Sequence, residues 1–151
     1  MNKPILTVAA LLVSLASYAQ VGNNSATNQQ YGSGNANSIT QSGSHHTTTV
    51  TQGVQATGLG LQNEATVTQS GSWNFSNVQQ TGDANEAILW QEGLGNGRDL
   101  GSEILQSGDD NTGSLLQIGD DNNAAIDQTG DLNSASISQT QDDNTAAIEQ
   151  A

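Results

Sequence analysis

The sequence contains no cysteine, one proline, and very few aromatic or basic residues. Without cysteine the chain forms no disulfides, so its stability must come from another source. Aromatic residues make up 3% and apolar residues 33% of the 151 residues, which is little material for a conventional globular core. Only two basic residues stand against 15 acidic ones. Nucleic acid is therefore disfavoured as a partner, because no basic surface exists to neutralise its phosphates.

The N-terminus has the features of a secretory signal peptide, which we place at residues 1–19. Lys3 precedes an apolar run from Ile5 to Ala16, and small residues lead to an expected cut before Gln20. The apolar run is shorter than the roughly 20 residues that span a bilayer, which argues against a membrane anchor. We therefore expect a secreted, extracellular protein whose mature chain has no membrane span.

Glutamine recurs along the rest of the chain at a nearly constant interval. A series of eleven Gln residues runs from Gln30 to Gln150, and eight of its ten spacings are eleven residues. Asn stands six residues before nine of these Gln residues, and Ile, Val or Leu stands two residues before ten of them. Gly follows two residues after Gln in eight of the ten connections. The repeating unit is therefore N-x-A-x-I-x-Q followed by x-G-x-x.

This unit predicts one short strand and one turn. Asn, the small residue, the aliphatic residue and Gln share one parity, as expected for a strand with one buried face. Gly interrupts the chain in nearly every connection, and the apolar residues do not follow helical spacing. We therefore expect an all-β fold: a flattened β-solenoid of about eleven short strands, with two strands per coil. Successive coils stack about 4.8 Å apart, which places like residues over like residues, with cross-β stacking in a fibre.

The inward positions are expected to form structural ladders, in which each buried amide pairs with its copies in adjacent coils. The expected Gln positions are Gln41, Gln69, Gln80, Gln91, Gln106, Gln117, Gln128, Gln139 and Gln150. The expected Asn positions are Asn35, Asn63, Asn74, Asn85, Asn111, Asn122, Asn133 and Asn144. The aliphatic positions are Ile39, Val67, Val78, Leu89, Ile104, Leu115, Ile126, Ile137 and Ile148. The turn glycines are Gly43, Gly71, Gly82, Gly108, Gly119 and Gly130.

The chain divides into the signal peptide, a Gly/Asn/Gln-rich segment at residues 20–29, and the repeats at residues 30–151. Two insertions lengthen the repeats, after Gln52 and after Gln91. The inward pattern is interrupted at four positions, which are His46, Thr48, Leu100 and Ser102. Gln141 replaces the turn glycine of the last connection. Strands 46–52 and 100–106 are accordingly expected to be the least regular.

The pattern Q-x-G-x-x-N-x-A-x-x-x-Q resembles the curlin repeat of curli subunits. It stands in the sequence as "QTGDANEAILWQ" at 80–91 and "QIGDDNNAAIDQ" at 117–128. The resemblance extends from about Gln30 to Gln150, behind a segment similar to the leader of curlin repeats. It implies a secreted functional amyloid: a structural subunit of extracellular, cell-surface fibres in biofilm matrix and adhesion. It also implies homopolymerisation, a nucleator subunit as partner, and passage through an outer-membrane secretion pore. A nucleator role for this chain is the alternative within the family.

Other functions find less support in the sequence. Pairs of aspartates in the turns leave open a monomeric, calcium-stabilised β-solenoid adhesin, although the Gly-rich calcium repeat is absent. His45 and His46 lack the further ligands of a metal centre, so no metal or other cofactor is expected. The sequence shows no pairing of a nucleophile with a base, and no enzyme activity is expected.

Overall fold

A computed structural model describes residues 22–53, 61–97 and 101–151, together with the backbone of residues 15–20. These residues form strands and turns, with no helix among them. The twelve strands of the described residues are β1 (Leu15–Gln20), β2 (Ser25–Gln30), β3 (Ala36–Ser44), β4 (Thr47–Gln52), β5 (Glu64–Ser72), β6 (Phe75–Thr81), β7 (Glu86–Leu94), β8 (Ser102–Ser107), β9 (Thr112–Ile118), β10 (Asn123–Thr129), β11 (Ser134–Thr140) and β12 (Thr145–Gln150).

The strands form two parallel sheets in which odd and even strands are separated. The first sheet has the order β1-β3-β5-β7-β9-β11, and the second has the order β12-β10-β8-β6-β4-β2. Each strand therefore pairs with the strands two places before and after it in the chain, so that one coil consists of one odd and one even strand. The predicted all-β solenoid with two strands per coil is confirmed. Strands β2–β12 correspond to the eleven expected strands, and β1 lies across the end of the expected signal peptide.

The register between neighbouring strands of each sheet places Gln opposite Gln. Gln41 pairs with Gln69 between β3 and β5, and Gln80 pairs with Gln106 between β6 and β8, although insertions lengthen these intervals to 28 and 26 residues. The strands β4 and β8, which were expected to be the least regular, each pair with a strand on both sides. The buried face therefore keeps the same register before and after each insertion.

The core is a thin layer between the two sheets. Its aliphatic residues form one column per sheet: Ile39, Val67, Leu89, Leu115 and Ile137 in the first, and Val50, Val78, Ile104, Ile126 and Ile148 in the second. Seven of the twelve largest fully buried side chains are nevertheless Gln. Hydrogen bonding of these amides is therefore as important to the core as apolar packing, because an unpaired buried amide is costly.

Two rows of turns join the sheets. We call the row that follows odd strands the odd edge, and the row that follows even strands the even edge. Each regular turn has two residues of positive φ, for example Gly108 at 122° and Asp110 at 57°. The glycine was expected from the sequence. The second position, directly before Asn, was not, because residues as different as Trp73 and Leu132 occupy it.

Candidate functional site: amide ladders and the ends of the solenoid

Buried glutamines form one continuous hydrogen-bonded column in each sheet. In the first sheet Gln41 donates from Nε2 to Oε1 of Gln69 at 3.0 Å, and the series continues through Gln91 and Gln117 to Gln139 at 2.7–3.0 Å. The second sheet has the same arrangement from Gln30 through Gln52, Gln80, Gln106 and Gln128 to Gln150, at 2.8–3.0 Å. Every amide donates toward the C-terminal coil, so both columns have the same polarity.

The same glutamines also tie the two sheets together. The second N–H of Gln80 donates to the backbone carbonyl of Glu64 at 2.9 Å, and that of Gln91 donates to Phe75 at 3.0 Å. Each of these carbonyls belongs to the strand of the opposite sheet, 16 residues earlier in the chain. One side chain therefore bonds to the next coil and to the facing sheet, which fixes both the stacking and the width of the core.

Asparagines form a second pair of columns at the start of each strand. The backbone N–H of Asn85 donates to Oδ1 of Asn63 at 2.9 Å, and Nδ2 of Asn85 donates to the turn carbonyl of Gly108 at 2.8 Å. Asn111 repeats this pattern: its N–H donates to Oδ1 of Asn85 at 3.0 Å, and its Nδ2 donates to the carbonyl of Gly130 at 2.8 Å. Each Asn thus holds the beginning of a strand and the turn of the following coil in place.

Asn96 is a member of these columns that the sequence pattern did not reveal. Its N–H donates to Oδ1 of Asn74, and its own Oδ1 accepts from the N–H of Asn122, both at 3.0 Å. Leu100, which was expected to interrupt the ladder, lies outside the described residues, and Asn96 provides the ladder position between Asn74 and Asn122. Counting forward five residues from Gln91, as in regular units, finds Asn96, whereas counting back from Gln106 does not.

His46 occupies an Asn position and makes the bonds of an Asn. Its N–H donates to Oδ1 of Asn24 at 3.0 Å, and its Nδ1 accepts from the N–H of Asn74 at 3.3 Å. Nε2 lies 3.1 Å from the carbonyl oxygen of Ser42, which it reaches as a donor in the neutral ring. Burial lowers the pKa of His46 below its ordinary value of 6.5, because the charged ring would lose its solvation.

We expect acid to weaken the fold at this coil. The pKa is lower in the folded chain, so the stabilisation is complete above pH 6.5 and is lost as the pH falls below it. A protonated Nδ1 also cannot accept the N–H of Asn74. His46→Asn replaces the ring with the side chain that the other coils use, and it does not titrate. Urea unfolding at about pH 7.5 and about pH 5 should show a smaller loss of stability for His46→Asn than for the original chain.

His45→Asn is the control for this experiment. His45 stacks on Trp73 with ring centroids 4.2 Å apart and lies in the turn instead of the Asn column. This variant should retain most of the pH dependence, because His46 is unchanged. Equal pH dependence of His46→Asn and the original chain would show that His46 is not the titrating group.

Hydroxyl groups link the two sheets where the small residue of the repeat is polar. Thr48 donates to Oε1 of Gln69 at 2.8 Å and lies 3.0 Å from the hydroxyl of Ser76. Ser102 donates to Oε1 of Gln117 at 2.6 Å. All three hydroxyl residues are buried. The expected interruptions at Thr48 and Ser102 are therefore additional hydrogen bonds across the core, which the strand period alone does not indicate.

Aspartates in the turns bind backbone N–H groups of the preceding coil. Asp109 accepts the N–H of Asp83, and Asp131 accepts that of Asp109, both at 2.9 Å on the even edge. On the odd edge Asp142 accepts the N–H of Asp120 at 2.8 Å. Within the described ranges no group of three His, Asp or Glu residues is placed to hold a metal ion. The described part of the chain also has no helix with the length and apolarity needed to cross a membrane.

The C-terminal end of the solenoid presents unused donors. In inner coils the Asn side chain donates to the next turn, as Asn122 does to the carbonyl of Gln141 at 2.7 Å. In the last coil Asn133 keeps only the bond to the carbonyl of Thr129, four residues back, at 2.9 Å. Gln150 keeps only the bond to the facing sheet, at the carbonyl of Ser134 at 3.2 Å, and has no following Gln in this chain to accept its second N–H. At the opposite end Gln30 begins the column of the second sheet as a donor, and no described residue donates to its Oε1.

The two ends are therefore chemically complementary. One end has an acceptor at the start of a Gln column, and the other has amide donors at the end of the columns. Both end strands of the second sheet, β2 and β12, also have one unpaired backbone edge among the described residues. Unpaired edges are templates for the addition of another strand. A contact between unlike ends does not close on itself, so repetition of this contact gives a filament.

Fold and site together define a structural parallel β-solenoid held by internal amide ladders. The curlin associated repeat matches residues 62–93, 97–130, 108–140 and 119–151. These matches cover more than half of the chain, and the chain belongs to the curlin-repeat family. Curlin-repeat solenoids are a structural, non-catalytic kind of protein, and the family is known for extracellular curli fibres. No match was found among curated proteins.

Proposed function

We propose that this protein is a secreted subunit of extracellular, curli-like amyloid fibres that contribute to biofilm matrix and adhesion. The fibre grows by end-to-end addition, in which the C-terminal coil of one copy receives the N-terminal coil of the next. The complementary ends are the observation that supports this proposal most, because the second N–H of Gln150 at one end matches the free acceptor of Gln30 at the other end of the same column. The sequence remains regular through Gln150, which favours the major subunit over the nucleator.

Processing precedes assembly in this proposal. Cleavage before Gln20 removes nearly all of β1, which is the first strand of the first sheet. The processed chain, residues 20–151, then begins with β2 and exposes the edge of β3. Family membership supports a nucleator subunit and an outer-membrane secretion pore as partners. Mass spectrometry of the exported protein tests the cleavage site, which is expected directly before Gln20.

Assembly of the processed chain tests the function itself. The chain is diluted from denaturant into calcium-free buffer and followed by thioflavin fluorescence, electron microscopy and fibre diffraction. Unbranched fibres with a reflection near 4.8 Å along the axis are the expected result. A chain that stays monomeric and folds only after calcium is added would instead identify the calcium-stabilised adhesin.

Charge in the turns is expected to slow assembly. Carboxylates one coil apart, such as those of Asp109 and Asp131, repel each other. Raising the salt concentration from about 0.01 M to about 1 M shortens the screening length from about 30 Å to about 3 Å, and should speed fibre growth. Asp109→Asn with Asp131→Asn keeps the Oδ1 acceptors and removes the charges. This double variant should assemble faster at low salt and respond less to added salt.

The control for this experiment is the double variant Asp127→Asn with Glu149→Gln, which removes two charges from the outer face of the second sheet. Asp127 and Glu149 are register partners on β10 and β12. A larger acceleration from this pair than from the turn pair would show that total charge, and not the turn position, limits assembly.

A further inference from the structure

The two sheets of the processed chain have different numbers of strands. Removal of β1 leaves five of the six strands of the first sheet, from β3 to β11, whereas the second sheet keeps all six, from β2 to β12. Neighbouring strands of a sheet are about 4.8 Å apart, so the second sheet is longer along the axis by one strand. Two copies joined sheet to like sheet would therefore leave one strand position vacant, between β11 of one copy and β3 of the next.

Both Gln columns have an unused group at each end. At the C-terminal end Gln139 and Gln150 donate to the facing sheet at 2.9 and 3.2 Å, and no Gln follows within the chain to accept their other N–H. At the N-terminal end Gln41 and Gln30 donate into their columns, and no described residue donates to Oε1 of either. Joining like sheets would pair Gln150 with Gln30 only, because the vacant position separates Gln139 from Gln41.

The second N–H of Gln30 also lacks the partner that it has in later coils. Each later Gln donates to a carbonyl of the facing sheet sixteen residues earlier, and in the last coils these bonds are Gln128 to Thr112, Gln139 to Asn123 and Gln150 to Ser134. The next carbonyl of this series, eleven residues after Ser134, belongs to Thr145. A Gln placed one unit beyond Gln150 would donate to it.

We propose that each copy in the fibre is rotated by a half turn about the fibre axis relative to the copy before it, so that β2 adds to β11 and β3 adds to β12. This inference rests on the proposed fibre function and on the removal of β1. The incoming Gln30 takes the place one unit beyond Gln150, and the strands continue to alternate between the sheets. Gln139 then donates to Oε1 of the incoming Gln30, and Gln150 donates to Oε1 of the incoming Gln41. The incoming Gln30 in turn donates to the carbonyl of Thr145.

The half turn is favoured because it leaves no strand position vacant. Odd and even units have the same repeat, so a half turn places each sheet of the new copy on the unlike sheet of the last one. Each stack then receives five and six strands from alternate copies, which gives eleven strands, or about 53 Å, for every two copies. Joining like sheets would make one of the three Gln bonds, and the core residues Ile137 and Ile39 would line the vacancy. An apolar cavity of this kind is destabilising.

Disulfides across the junction distinguish the two arrangements. The chain has no Cys of its own. Register partners on adjacent parallel strands are about 4.8 Å apart, which lies within the range of about 4.4–6.8 Å that a disulfide spans. Extending the Gln register places Gln29 of the incoming copy opposite Ser138 in the half turn, and opposite Glu149 when like sheets join. All three residues are exposed. In either arrangement the other pair lies on opposite sheets, beyond the reach of a disulfide.

The test compares two double variants of residues 20–151, Gln29→Cys with Ser138→Cys and Gln29→Cys with Glu149→Cys. Each is assembled in reducing buffer, oxidised as fibres with a copper catalyst, and separated under denaturing conditions without reductant. Ser114→Cys with Ser136→Cys is the control for oxidation, because these residues are register partners within one copy. This control should lose its free thiols in either arrangement without linking copies.

The half turn predicts a ladder of covalent oligomers from the Gln29 and Ser138 variant, about tenfold more abundant than from the Gln29 and Glu149 variant. Thr40→Cys with Glu149→Cys should also give a ladder, because Thr40 precedes Gln41 as Glu149 precedes Gln150. A ladder from the Gln29 and Glu149 variant that equals or exceeds the others would overturn the half turn and leave end-to-end growth standing. Fibres without a ladder from any variant, with the control oxidised, would overturn both. Absence of fibres from every variant and from unaltered residues 20–151 would overturn the fibre function and the half turn with it.

Discussion

Replacing Gln80 by leucine is expected to lower the free energy of unfolding by about 3 kcal/mol or more. Gln80 is fully buried and donates to the carbonyl oxygens of Glu64 and Asn85 and to Oε1 of Gln106, at 2.9–3.0 Å. It also accepts from Nε2 of Gln52 at 2.9 Å. Leucine fills nearly the same space but removes all four hydrogen bonds, and it leaves Oε1 of Gln106 without a donor among the described residues. Each lost bond costs about 0.5–1.5 kcal/mol and the unpaired Oε1 about 1–3 kcal/mol, and the apolar side chain offsets only part of this loss.

Gln79 provides the matched control because it is the neighbour of Gln80 on β6 and points outward. Gln79→Leu should change the free energy of unfolding by no more than about 0.5 kcal/mol. Urea unfolding followed by circular dichroism measures both variants under conditions that keep the chain monomeric. Similar losses for the two variants would mean that the inward ladder does not carry the stability that we assign to it.

Replacing Gly108 by alanine is expected to cost about 4 kcal/mol, through two separate effects. The first is backbone strain, since φ is 122° and a side chain there costs about 1–2 kcal/mol. The second is a clash with the next coil, because the new Cβ would lie 2.1 Å from the carbonyl oxygen of Gly130. Overpacking of this kind costs about 1–3 kcal/mol.

Gly130→Ala separates these two effects. Gly130 has the same place in the following turn, with φ of 91°, but the atom nearest to its added Cβ is Nδ2 of Asn133 at 3.8 Å. This variant should show the strain alone and lose about 1–2 kcal/mol. The difference between the two variants, measured by urea unfolding, gives the cost of the coil-to-coil contact. Equal losses would show that the turns require glycine for its conformation only.

Much of the site could be predicted because the repeat pattern indicates directly which side chains are buried. Gln and Asn recur at one parity among apolar residues, and a buried amide in a repeating fold needs a copy of itself as partner. The columns formed by Gln41, Gln69 and Gln91 follow from that argument alone. The family could then be identified because enough repeat units match its pattern in sequence, from residue 62 onward.

The positions that break the repeat were harder to interpret, because their roles depend on partners in the facing sheet or the next coil. His46 was expected to interrupt the Asn ladder, yet its Nδ1 accepts the same N–H that an Asn oxygen accepts. Thr48 and Ser102 were expected to interrupt the inward pattern at its small-residue position, yet they bond across the core to Gln69 and Gln117. The repeat shows that these side chains point inward but does not show which groups they reach.

The sequence by itself determined the strands, their buried faces and the two-strand coil, because these depend on periods of two and eleven residues along the chain. Only the tertiary structure decided which residues meet between coils. It placed Asn96 in the Asn ladder, and it brought inner turn glycines such as Gly108 against a carbonyl oxygen of the next coil. Such contacts join residues 22 or more positions apart, and their distances depend on the exact stacking of the coils.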